Sequence, residues 1–172
     1  MTVPTHLAVH GQDMGMTPES SALLLSLLGA ASIVGRLTIG GFADRFGGKL
    51  AYSVAMAGLT ISLVSLIFIT QSTALFLITL VYGFSHGSLF VVVSPTIARI
   101  FGMRAHGAIF GTVLFFGTIG GSIGPTLAGW AYDTWGSYSP AFTTLAVAAC
   151  LAILLAQTLP KPSDVTSPAV NT

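Results

Sequence analysis

Charge is what this chain lacks most. Only 6% of its 172 residues are Asp, Glu, Lys or Arg, against roughly a quarter in an ordinary soluble domain. A soluble fold of this length needs far more polar surface. The net charge of +1 carries no message about nucleic acid or acidic partners. One cysteine, Cys150, excludes an internal disulfide and a cysteine-based zinc cluster. His6, His10 and His106 fall in or near loops, at spacings that suggest no metal site, and no cofactor motif is present. The stretch from Met1 to Met16 has no basic patch ahead of a short apolar core, so it does not read as a signal peptide.

What is present is apolar sequence, 53% of the residues. Crossing a hydrocarbon core of about 30 Å takes roughly 20 helical residues. Five runs meet that length, at about 18–43, 49–70, 74–101, 105–132 and 140–159. Thr17 as N-cap, Pro18 at the first helical position and Glu19 in the first turn mark the start of the first. The expected fold class is all-α: a polytopic membrane protein with five transmembrane helices embedded in a lipid bilayer. Residues 1–17 form an outer segment, 18–159 the helical domain, and 160–172 a Pro-, Ser- and Thr-rich tail expected to be disordered.

Lysine and arginine are absent from one side. Arg45, Lys49, Arg99, Arg104 and Lys161 fall in segments that alternate with lysine- and arginine-free ones, 1–17, 71–73 and 133–139. Five against none makes the basic side cytoplasmic. An odd number of spans then puts the N-terminus outside and the C-terminal tail in the cytoplasm, in a plasma (inner) membrane. Trp130, Tyr132, Trp135 and Tyr138 cluster on the outer side, as an interfacial aromatic belt does.

Small residues recur at helical spacing. Gly83 and Gly87 in the third span, and Gly107, Gly111, Gly117, Gly120, Gly121 and Gly124 in the fourth, read as helix-packing positions or as a moving interface. Pro95 and Pro125 are expected to bend their helices.

After the first span the sequence reads Gly40-Gly41-Phe42-Ala43-Asp44-Arg45-Phe46-Gly47-Gly48-Lys49. It resembles the signature loop of the major facilitator superfamily, G-x-x-x-D-R-x-G-x-K/R. The resemblance implies that Gly40 admits a neighbouring helix. It makes Asp44 and Arg45, with Lys49, a charge latch against another helix, and gives Gly47 the sharp turn. Gly48 stands where the family usually has a basic residue. The chain then looks like helices eight to twelve of a twelve-helix transporter, half of the fold, with His6 to Gln12 resembling the tail of a seventh helix. Residues 11–21 resemble an outer loop. Residues 124–142 look like the eleventh-to-twelfth helix junction of the monocarboxylate and oxalate–formate branch. The first six helices and most of the seventh are expected elsewhere, in a preceding half or a second subunit. Such carriers build their substrate path between two halves, near the membrane midplane.

Arg36 lies eight residues before Asp44, about 12 Å of helical rise. That is too deep for comfortable snorkelling, so it is expected to face a cavity or a partner. In the monocarboxylate branch an arginine just ahead of the signature loop is similar to one that pairs with the substrate carboxylate. A planar guanidinium suits that contact. The competing reading is a structural arginine that orders the loop. Where animal monocarboxylate transporters have an acidic residue one turn earlier, this chain has Ser32, and no Asp or Glu lies deep in any span. The fourth span also lacks the second cation that oxalate would require, with Gly117 near the expected place. The expected substrate is a small organic anion, a monocarboxylate, moved by alternating access with a coupling proton or counter-anion. His86 and Ser85, mid-span, are further substrate-binding candidates; the bland alternative for His86 is a packing histidine.

Two rivals remain. One is a truncated, non-transporting membrane protein that associates with a full-length carrier. The other is an intramembrane serine hydrolase, because residues 83–87 match G-x-S-x-G. That motif needs a strand-to-helix turn, whereas here it falls inside a long apolar run, so no catalytic residue is assigned.

Overall fold

The computed structural model describes residues 2–159, all helical apart from short connections: α1 (Thr2–Asp13), α2 (Pro18–Phe46), α3 (Gly48–Phe68), α4 (Ser72–Phe101), α5 (His106–Trp135) and α6 (Ser139–Gln157). Among the described residues, α2 to α6 are long and apolar enough to cross a membrane. The expected tail, 160–172, lies outside the described residues.

The local chemistry explains the ends. The Thr17 hydroxyl accepts from the Ser20 amide at 3.3 Å, and Pro18 opens α2 without wasting an amide. Glycines at positive φ close helices: Gly47 at 93°, Gly102 at 74° and Gly136 at 66°. Several hydroxyls inside the spans return to the carbonyl one turn back. Thr60 donates to Met56 at 2.8 Å, Ser62 to Gly58 at 2.8 Å and Thr96 to Val92 at 2.7 Å. Without water in the bilayer core, that local bond keeps the polar group satisfied.

Several bounds differ from expectation. Helix α2 continues through Asp44 and Arg45 to Phe46, so the charged segment is helical and only Gly47 separates α2 from α3. Residues 2–13 form a helix, as the likeness of His6 to Gln12 to a helical tail implies, and the connection before α2 is only four residues, shorter than the outer loop expected over 11–21. Pro95 and Pro125 both sit within continuous helices.

Packing is tightest between α2 and α4. A Cβ at Gly35 would strike the Phe84 carbonyl; one at Gly87 would strike the Ser32 carbonyl; one at Gly83 would lie 2.6 Å from the Leu28 carbonyl oxygen. The two backbones therefore meet directly. Helix α3 packs across α4, and α6 closes against α3, enclosing a core that includes Leu24, Leu63, Leu75, Tyr82 and Phe142. Helix α1 rests on α2. Helix α5 touches the others sparingly, and only Ala128 and Ala131 are buried in it.

Candidate functional site

Arg36 emerges on the outer-facing side of the α2–α4 spine. One turn of α2 carries both features: Gly35 is buried against α4, while Arg36, rotated by about 100°, is exposed. Its guanidinium carbon sits 5.7 Å from the centre of the Phe90 ring, within reach of a cation–π contact. His86 meets the same ring edge-on at 5.3 Å and stacks on Tyr82 at 5.6 Å. Tyr82, His86 and Phe90 are spaced four residues apart and so form one column along α4, capped by the arginine from α2. Among the described residues Arg36 has no carboxylate within ion-pair distance. A cation at depth, stacked on an aromatic face and without an anion, can accept one.

Ser85 does not join this group. It is buried and turned onto α3, against Gly58. One residue along a helix is a rotation of about 100°, which carries Ser85 away from the face that His86 occupies. Residues 83–87 are unbroken helix, without the strand-to-helix turn a nucleophile elbow requires. Ser32 is likewise buried, against Gly87.

The signature segment divides into three different contacts. Asp44 pairs with Arg99 at the end of α4, 3.3 Å apart and largely exposed. Arg45 instead lies over its neighbour Phe46, 5.4 Å from the ring centre. The Lys49 ammonium donates to the carbonyls of Gln157 and Leu159, at 2.7 and 3.1 Å, closing the end of α6. Gly40 meets nothing within 4 Å and borders a gap of about 150 Å³ between α2 and α4, so among the described residues it admits no neighbouring helix. Gly48 is different. A Cβ there would come 2.5 Å from the Thr96 hydroxyl, so a side chain at 48 requires Thr96 to shift.

The glycines of α5 also depart from expectation. Gly107, Gly111, Gly117 and Gly120 meet nothing within 4 Å; Gly124 is approached by Thr2, and Gly121 is half-buried. Most of the stripe is thus uncovered among the described residues. Where α1 meets α5 and the start of α6, His6 bonds both to the Pro125 carbonyl (Nε2, 3.1 Å) and to the Tyr138 hydroxyl (Nδ1, 3.2 Å). A carbonyl only accepts, so neutral His6 carries its proton on Nε2 and accepts from Tyr138. Tyr138 is buried here. Burial first, then the Asp13 carboxylate, pushes its phenol above the ordinary tyrosine value. Trp130 and Trp135 are exposed.

Reading by residue type missed four participants. Tyr82 and Phe90 were signalled by their four-residue spacing around His86, and Gly35 by its spacing from Ala31. Arg99 as the partner of Asp44 had no local signal, because the two lie 55 positions apart.

A family model described as Major Facilitator Superfamily matches residues 1–171. Among curated proteins, the chain is similar to "Monocarboxylate transporter 13" of Rattus norvegicus, 32% identical over 140 residues, covering 80% of this chain and 32% of that protein. It is similar to "Monocarboxylate transporter 12" of Rattus norvegicus, 28% identical over 144 residues, covering 80% and 29%. It is also similar to "Monocarboxylate transporter 7" of Homo sapiens, 29% identical over 153 residues, covering 84% and 29%. The chain spans about a third of the length of these curated relatives.

Proposed function

The chain belongs to the Major Facilitator Superfamily, and from that premise we propose that it serves a secondary transporter of a small organic anion, a monocarboxylate. Arg36 binds the carboxylate, and alternating access moves the substrate past it. The observation that carries the reading is Arg36 itself, exposed at membrane depth, seated over Phe90 and unpaired with any described carboxylate. The names of the similar transporters support the same substrate class. His86 lines the same face and contributes a hydrogen-bonding edge beside the bound anion.

Transport needs a second half opposite this face, supplied by more of the same polypeptide or by another subunit. The open side of α5 is the surface it would cover. The basic end faces the cytoplasm of a plasma membrane, with the Asp44–Arg99 contact as a latch that opens and recloses during the cycle. A proton or counter-anion accompanies the substrate.

The test is uptake of a radiolabelled monocarboxylate by the complete protein in proteoliposomes. Arg36→Ala is expected to abolish uptake while leaving membrane insertion and yield unchanged. Arg36→Lys, which keeps the charge but loses the planar fork, is expected to retain a small fraction. Unchanged uptake by Arg36→Ala would end the carboxylate reading.

A further inference from the structure

We propose that the cleft between α3, α4, α5 and α6 at their basic end holds one acyl chain of an anionic phospholipid, with its phosphate beside Lys49. Placing that end in the cytoplasmic leaflet rests on the orientation stated under the proposed function. The cleft has a volume of about 510 Å³, and Arg36 does not line it.

Its walls are apolar and share one depth. They comprise α4 between Val93 and Phe101, α5 between Ile109 and Val113, and α6 between Ala152 and Leu159. From Val93 to Phe101 the helix rises about 12 Å, close to the half-thickness of a hydrocarbon core about 30 Å across. The cleft therefore matches the acyl region of a single leaflet. Apolar walls give water no partners, and hydrocarbon is what the bilayer offers in its place. Polar atoms enter the lining from Lys49, Tyr52 and Thr96, with the Thr96 hydroxyl already committed to Val92.

Lys49 supplies the charge complementarity. Two of its three N–H groups go to the carbonyls of Gln157 and Leu159. Neutral carbonyls orient the ammonium but leave its charge uncompensated among the described residues, with one donor free there. Among the described residues, the carboxylate at this end of the bundle, Asp44, is already paired with Arg99. A phosphate at the mouth is the anion that a leaflet supplies.

The full-length protein, incubated with equal phosphatidylglycerol and phosphatidylcholine and examined by native mass spectrometry, tests this. One phosphatidylglycerol should be retained in preference to phosphatidylcholine by about fivefold, the effect of one basic side chain on an anionic lipid. Lys49→Met should erase the preference and Lys49→Arg should keep it. Ala152→Phe, which fills the cleft with hydrocarbon and spares Lys49, should lower retention of both lipids. Equal retention of the two lipids by the unaltered protein overturns the proposal, as does retention that Ala152→Phe leaves untouched. Binding that appears only after truncation behind Leu159 overturns it too, because residues 160–172 would then fill the cleft. In vesicles with phosphatidylglycerol confined to one leaflet, thermal stabilisation should require the cytoplasmic leaflet. Stabilisation from the outer leaflet alone upholds the lipid site and overturns the orientation instead.

Discussion

Helices α4 and α5 each carry glycines at helical spacing, and the two sets have opposite surroundings. Gly83 and Gly87 of α4 lie against the backbone of α2, leaving no space for a methyl group. Gly107, Gly111, Gly117 and Gly120 of α5 face open space. In lipid there is no hydrophobic drive between helices, so close backbone approach is what holds α2 to α4. That contact fixes the rotation of α2 and thereby turns Arg36 outward. The α5 stripe has the same capacity for approach but, from Gly107 to Gly120, no occupant among the described residues. Glycine spacing thus reports that a backbone can be approached, and the partner is set by tertiary structure.

Substitution at matched positions breaks or confirms this contrast. Gly87→Val drives two methyl groups into the Ser32 carbonyl, and overpacking a tight interface costs on the order of 1–3 kcal/mol or more. The expected result is a clear fall in thermal unfolding temperature, with lost uptake following from lost structure. A Cβ at Gly117 meets nothing within 4 Å among the described residues, so after Gly117→Val thermal stability should hold while uptake by the complete carrier falls. Equal destabilisation by both would erase the distinction between a packed and an open stripe.

A smaller effect is expected at the junction between α2 and α3. Gly48→Lys restores the basic residue usual in the family, yet its Cβ would sit 2.5 Å from the Thr96 hydroxyl. It should therefore lower stability, and Thr96→Ala in the same protein should recover part of the loss. A double-mutant cycle on unfolding temperature reads the coupling. Additive effects would mean that Thr96 is not what excludes a side chain at 48.

Much of the architecture was legible because hydropathy and length decide spans almost alone. The five apolar runs correspond to α2 through α6, with ends displaced by up to three residues. Glycine turns were legible where φ is positive, as at Gly47. The site was legible only in part. Arg36 announced itself as a charge within an apolar run, but its stacking on Phe90 depends on how α2 rotates against α4. Ser85 illustrates the limit: adjacency to His86 in sequence means a different helix face. The exposure of the α5 stripe was illegible, because periodicity is the same for a covered and an uncovered face. The Asp44–Arg99 pairing needed the tertiary fold, since nothing local joins α2 to the end of α4.

That pairing gives the smallest expected effect on stability and a sharp one on function. The two side chains are 3.3 Å apart, with Asp44 80% and Arg99 44% exposed, and an exposed ion pair contributes only about 0–1 kcal/mol. Such a contact is a poor anchor, because water and salt replace it at little cost. For the same reason it can break and reform within a transport cycle without trapping either state. Asp44→Asn should leave unfolding temperature within a degree or two of the parent, given the small energy at stake. Turnover should slow while the substrate concentration for half-maximal uptake changes little, since Asp44 is remote from Arg36 in rise along α2. Charge reversal of both partners, Asp44→Arg with Arg99→Asp, should recover turnover if attraction between these helix ends is what matters. A defect confined to substrate affinity would instead tie Asp44 to binding, and the pair would no longer qualify as a latch.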